Sequence, residues 1–292
     1  AAGERSVLQG RRGRALEVVA RGDKGRPLVV LLHGFPDTLT VWSGQLAALA
    51  DAGYYAVALS LRGYGATHAP KGVTPYAMEA CTEDVEDVIR ALGYDRARAV
   101  VGHDWGAVLA WTTAALLPEL MERLVVLNGP HPKAFADNMC LAQARASWYM
   151  GFFQGVFFPE DMMARNSARA VGRAVLGGDR DPSQLKKDAA DLARLGFMQQ
   201  GVPTRAINYY RAAILAPPRV NTLLRMQAKV KVNTLVLWGT KDFALMESNL
   251  DNMADYVETS EVHKMAGGHW IMLDRPDEVN ARMVEFLSHG AE

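Results

Sequence analysis

The chain has 292 residues, 49% hydrophobic and 22% charged, which can bury a large core and excludes a disordered tail, a collagen-like fibre and a disulfide-stapled miniprotein. With 32 Lys and Arg against 32 Asp and Glu, the net charge is zero, so no basic excess exists to drive counterion release from nucleic acid. Cys81 and Cys140 form no C-x-x-C pair or metal-ligand spacing, so neither a disulfide framework nor a metal site is expected.

From the amino end, Ala1-Ala2-Gly3-Glu4-Arg5 is followed by no apolar signal region, and a cytoplasmic protein with two free thiols is the expectation. Short apolar or β-branched runs then recur as predicted strands: Ala15 to Ala20, Pro27 to Leu32, Tyr55 to Leu61, Ala97 to Val101 and Leu124 to Asn128. Several are apolar on both faces, as strands of a covered, mainly parallel sheet must be. Met78 to Leu92 supplies a crossover helix, with Val85, Val88, Ile89 and Leu92 at helical spacing. No apolar run approaches the ~20 residues of a membrane-crossing helix.

The alternation breaks after Gly129-Pro130-His131-Pro132. From there to about Lys229 the chain is rich in Ala, Met, Arg and aromatics at helix-like spacing, with Pro217-Pro218 punctuating its far end. Thr234 to Trp238 and Glu261 to Met265 then resume the strand rhythm. The pattern predicts an α/β fold in which 1–131 and 230–292 form one core domain beneath a helical lid, 132–229.

The strand Ala97 to Val101 runs directly into Gly102-His103-Asp104-Trp105-Gly106-Ala107, followed by a helix too apolar to be exposed. This has the form of a nucleophile elbow, a sharp strand-to-helix turn where small residues avoid a clash and one side chain stands above the sheet. Here the presented group is Asp104. A carboxylate is ionised at neutral pH and can attack an sp3 carbon without a base, forming an alkyl ester. Hydrolysis of that ester calls for a His oriented by a second carboxylate. Asp242, in Gly239-Thr240-Lys241-Asp242-Phe243, and His269, in Gly267-Gly268-His269-Trp270, follow in the expected chain order. The negative charge developing on the Asp104 carboxyl needs waiting donors, for which the amides of Phe35, in His33-Gly34-Phe35-Pro36, and of Trp105 are the candidates. Singly, Asp104 suits a helix cap, Asp242 a turn and His269 a surface imidazole; their joint placement at strand ends favours catalysis.

Together these segments resemble the α/β-hydrolase superfamily and, within it, the soluble epoxide hydrolases. The motifs, in family order over nearly the whole chain, are His-Gly-Phe-Pro at 33–36, Arg62-Gly63-Tyr64-Gly65, Gly-His-Asp-Trp-Gly at 102–106, Lys-Asp-Phe at 241–243 and Gly-His-Trp at 268–270. The resemblance implies two lid tyrosines that hydrogen-bond the epoxide oxygen and donate a proton as the ring opens. Asn208-Tyr209-Tyr210-Arg211 carries that role to Tyr210, and Ser147-Trp148-Tyr149-Met150 carries it to Tyr149, four residues before Phe153-Gln154. The implied partners are a small-molecule epoxide and water, with no cofactor, in a monomer or homodimer. His33 and Arg62 are expected to stabilise loops. The aromatic and Met residues of the lid, Phe152, Phe153, Phe157, Phe158, Met162 and Met163, are read as packing except near Tyr149.

Two rival readings share the fold. A haloalkane or haloacid dehalogenase, including a fluoroacetate-type one, also uses an Asp nucleophile, but Phe35 stands where many haloalkane enzymes place a halide-binding Asn, and a halide leaving group needs no tyrosine proton. A non-catalytic small-molecule binding module is disfavoured by the intact Asp104, Asp242 and His269.

Overall fold

The computed structural model describes residues 3–177, 182–216, 218 and 220–289. Eight strands, β1 (Glu4–Gln9), β2 (Ala15–Arg21), β3 (Leu28–Leu32), β4 (Tyr55–Leu59), β5 (Ala97–His103), β6 (Met121–Leu127), β7 (Asn233–Gly239) and β8 (Ser260–Met265), form one sheet. Their spatial order is β1-β2-β4-β3-β5-β6-β7-β8, antiparallel through β1, β2 and β4 and parallel from β4 onward. Helix α1 (Ser43–Asp51) lies over the sheet with the carboxyl-terminal helix, while α2 (Met78–Ala91) packs with α3 (Trp105–Leu116) elsewhere on it. Helices over the sheet explain why Leu28 to Leu32 is buried at every position, alternate side chains pointing to opposite faces.

Every strand expected from the sequence forms, with ends shifted by a few residues. The run expected to reach Asn128 stops at Leu127, because Asn128 turns out of the strand at φ 37°. Strand β1 was not expected. Its sequence, Glu-Arg-Ser-Val-Leu-Gln, lacks an apolar face, and it is an exposed edge strand held by pairing to β2. The turn after it is pinned to α2, where Arg11 Nε and Arg14 Nη2 each bond the buried Asp87 carboxylate at 2.6 Å.

Between β6 and β7 the described residues contain helices and no strand: α4 (Pro132–Asp137), α5 (Leu141–Ala146), α6 (Trp148–Phe152), α7 (Phe158–Leu176), α8 (Gln184–Phe197), α9 (Val202–Leu215) and α10 (Val220–Gln227). Within α7 the helix is interrupted from Arg165 to Ala168. Of the expected Pro217-Pro218 punctuation, Pro217 lies outside the described residues. Two helices, α11 (Ile271–Asp274) and α12 (Pro276–Ser288), close the chain. Among the described residues no helix is long and apolar enough to cross a membrane.

Four consecutive residues of α9, each pointing about 100° from the last, take different partners. Asn208 Nδ2 donates to the Gly72 carbonyl at 3.1 Å and Tyr209 Oη to the Arg62 carbonyl at 2.9 Å, both in the core. Arg211 Nε donates to the Phe153 carbonyl at 3.1 Å and its Nη1 pairs with Glu160 at 2.7 Å, both in the insertion. Tyr210, between these anchors, is left to face the cavity.

Arg62 is itself fixed by a buried two-pronged pair to Asp84, Nε to Oδ2 at 2.8 Å and Nη2 to Oδ1 at 2.7 Å, with the Pro75 carbonyl accepting from Nη1 and the Ala80 carbonyl from Nη2. Removing one partner of such a pair strands the other charge. Arg62→Met should therefore cost about 3–5 kcal/mol in urea unfolding, and an Arg62→Met/Asp84→Leu double variant should cost less than the single one.

Candidate active site

The geometry starts at the end of β5. Asp104 takes φ 51° and ψ −120°, a conformation forced by an immediate passage from strand to α3. The turn is tight enough that a Cβ on Gly106 would lie 2.1 Å from the Leu32 carbonyl oxygen. On the facing loop, a Cβ on Gly34 would come within 2.4 Å of the Asp104 Cβ and 2.6 Å of its Oδ1. Both positions require glycine because no side chain has room.

This approach brings the next amide onto the carboxylate: Phe35 N donates to Asp104 Oδ1 at 2.7 Å. The Trp105 amide, expected to join it, opens α3 beside the carboxylate but makes no hydrogen bond to it in this conformation. His33 braces the loop. Burial pushes its pKa down to about 4, and the neutral ring donates from Nδ1 to the Gly34 carbonyl while Nε2 accepts the Leu61 amide at 3.0 Å.

The other oxygen of Asp104, Oδ2, lies 3.6 Å from His269 Nε2, an ion-pair separation too long for a hydrogen bond. His269 Nδ1 donates to Asp242 Oδ2 at 2.7 Å. Asp242 sits in the loop after β7 and is saturated with donors: the Ala244 and Leu245 amides reach Oδ1 at 2.8 and 3.0 Å, and Asn128 Nδ2 reaches Oδ2 at 2.8 Å. Burial would raise the Asp242 pKa, but His269 and these amides hold it below the ordinary carboxylate value. For His269, burial alone would lower the pKa; Asp242 and Asp104 outweigh it and raise the imidazole to about 10.

Two cavities, of about 330 and 430 Å³, share Asp104, Tyr149 and Tyr210 as walls. The two tyrosine rings lie edge to face with centroids 5.7 Å apart. Burial, reinforced by the Asp104 charge, raises both phenol pKa values, so both hydroxyls carry their protons at neutral pH. The five side chains singled out in the sequence thus converge. Phe152, Phe153, Met162 and Met163, expected mainly as packing, line the larger cavity, whereas Phe157 and Phe158 face solvent.

Three supporting residues escaped the sequence reasoning. Asn128, at the end of β6 between the strands carrying the two aspartates, bonds Asp242 and also accepts the Gly239 amide at 2.8 Å. The signal available was an Asn immediately after an apolar strand, where a positive φ favours that residue. His103 Nε2 donates to the His269 carbonyl at 3.0 Å, and Asp37 accepts Trp270 Nε1 at 2.7 Å, so both brace the loop carrying His269. His103 stands within a recognised motif and Asp37 directly after one, but the partner of each is remote in sequence.

Because folding raises the His269 pKa above its unfolded value of 6.5, its stabilising contribution is complete below pH 6.5 and disappears as pH rises through about 10. Stability measured by urea unfolding should fall across that interval, and His269→Gln should flatten the fall. Asn128→Ala should remove a bond to a charged acceptor and cost about 1.5–3 kcal/mol in the same assay.

A family model described as the alpha/beta hydrolase fold matches residues 27–276. The chain is 36% identical over 279 residues to Epoxide hydrolase 3 of Xenopus tropicalis, across 92% of this chain and 73% of that protein. It is 30% identical over 310 residues to Epoxide hydrolase A of Mycobacterium tuberculosis, across 94% and 95% respectively. A crystal structure of Bacillus megaterium epoxide hydrolase in complex with an inhibitor matches with a TM-score of 0.82 at 28% identity, covering 97% of this chain and 99% of that one. The chain belongs to the α/β-hydrolase fold family and is a homologue of its epoxide hydrolases.

Proposed function

We propose that the protein hydrolyses epoxides to vicinal diols in two steps, with 132–229 as the cap over a core formed by 1–131 and 230–292. Asp104 Oδ2 attacks one epoxide carbon, since Oδ1 is already engaged by the Phe35 amide. The C–O bond breaks as Tyr149 and Tyr210 bond the ring oxygen and supply its proton, because an unprotonated alkoxide is a poor leaving group. The product of this step is an alkyl ester of Asp104.

Ester formation removes one of the two negative charges that hold the proton on His269. The imidazole then gives up that proton, which replaces the one the tyrosine lost to the ring oxygen, and the neutral ring, oriented by Asp242, accepts one from water. The resulting hydroxide attacks the Asp104 carboxyl carbon, and the Phe35 amide stabilises the developing charge on Oδ1, with the Trp105 amide at the amino end of α3 as the second donor. Collapse expels the diol's alkoxide, which takes the proton of the added hydroxyl, and regenerates the carboxylate with one oxygen from water while His269 keeps the proton it accepted.

The observation that carries this reading is the shared cavity wall of Asp104, Tyr149 and Tyr210, with the His269 imidazole 3.6 Å from the carboxylate. Epoxide opening needs both a carbon nucleophile and a proton donor. Displacement of halide needs only the first.

Incubation with a styrene oxide panel and, separately, with chloro- and fluoroacetate should yield diol without halide; halide without diol would overturn the reading in favour of a dehalogenase. Asp104→Ala should form no covalent adduct by intact-mass spectrometry, whereas His269→Gln should accumulate the alkyl ester. Tyr210→Phe should slow single-turnover ring opening by roughly 10²–10⁴-fold, the usual contribution of a positioned acid, with ester hydrolysis less affected.

A further inference from the structure

The inserted segment carries an exposed apolar surface at the edge of the larger cavity. Trp148 is 65% exposed, Val156 67%, Phe157 81% and Phe158 58%. They form one patch: the Phe152 ring touches Trp148 at 5.9 Å and Phe158 at 5.8 Å between centroids. Phe157 adopts φ 68°, the only aromatic among the described residues with a left-handed backbone, so strain and exposure coincide at the most exposed large hydrophobic residue. The patch is continuous with the larger cavity, because Trp148 and Phe152 line that cavity together with Asp104.

Charge separates along the same boundary. Residues 132–229 contain 14 Lys and Arg against 7 Asp and Glu, while the rest of this neutral chain contains 18 against 25. Arg145 stands exposed at the cavity wall beside Trp148 and has no ion-pair partner among the described residues. Helix α7 turns Ala170 and Ala174 toward the cavity and Arg169 and Arg173 toward a cleft shared with Lys187 of α8. Among the described residues these three exposed cations have no ion-pair partner, and the acid in that cleft, Asp191, is taken by Arg194 at 2.9 Å. The cations therefore lie within about one helix diameter of the cavity wall.

We propose that this face of the inserted segment docks on an anionic lipid bilayer. Trp148, Val156, Phe157 and Phe158 enter the boundary between headgroups and acyl chains, and Arg145, Arg169, Arg173 and Lys187 meet lipid phosphates. The larger cavity then opens toward the bilayer, the phase in which a lipophilic compound concentrates. A second copy of the chain is the less fitting occupant, because a two-fold contact would set two segments of net charge +7 against each other. Only the nature of the compound entering rests on the proposed hydrolase chemistry; docking itself does not.

Sedimentation with vesicles tests docking without any turnover. The protein should bind vesicles of phosphatidylcholine mixed with phosphatidylglycerol, bind phosphatidylcholine alone far more weakly, and release as salt rises. Val156→Ser/Phe157→Ser, at positions outside both cavities, should abolish binding while leaving far-UV circular dichroism unchanged. Arg169→Glu/Arg173→Glu/Lys187→Glu should weaken binding by roughly tenfold or more and remove the preference for anionic lipid. Absence of binding to either vesicle by the wild-type protein would overturn the proposal, whatever the variants do. So would a dimer in analytical ultracentrifugation that Val156→Ser/Phe157→Ser dissociates.

Discussion

The ends of β3 and β5 approach so closely that two glycines are the only residues that fit between them, and the whole site is built around that contact. Gly106 lies against the Leu32 carbonyl and Gly34 against the Asp104 side chain. The residue held at positive φ at this point costs of order 1–3 kcal/mol, and it persists because β5 is paired on both sides, to β3 and β6, and runs into a buried helix. The same approach delivers the Phe35 amide, one residue beyond Gly34, to the carboxylate. Strain in the Asp104 backbone and a donor for its charge arise from one packing decision.

Electrostatics then drives neighbouring groups in opposite directions. His269 lies between two carboxylates and is held protonated, whereas His33, in the same loop as Phe35, is pushed down by burial and kept neutral. The tyrosines are buried against the Asp104 charge, which holds their protons on. Environment, not residue type, distinguishes the two imidazoles.

How much of this is legible in the sequence follows from the range of each interaction. The parallel strands announce themselves because burial on both faces requires continuous apolar runs, as in Leu28 to Leu32. The elbow is readable because its constraint is local, with Gly102 and Gly106 bracketing Asp104 within five residues. Strand β1 is not readable, since its place depends on β2 and on Asp87, some 75 residues away, rather than on an apolar pattern of its own. Asn128, Asp37 and His103 are hidden for the same reason: each serves a group more than 100 residues away in the chain. The tyrosines are intermediate, reached through a resemblance that no local rule replaces.

The four-way division of labour along Asn208, Tyr209, Tyr210 and Arg211 has a consequence for how such a chain can vary. Each of these side chains works only at its own angle around the α9 axis, so losing or gaining one residue upstream within that helix would exchange their tasks, sending a cavity phenol to the core loop and a core anchor into the cavity. A residue added to or lost from the connections flanking α9 would instead be absorbed by the backbone there without rotating the helix.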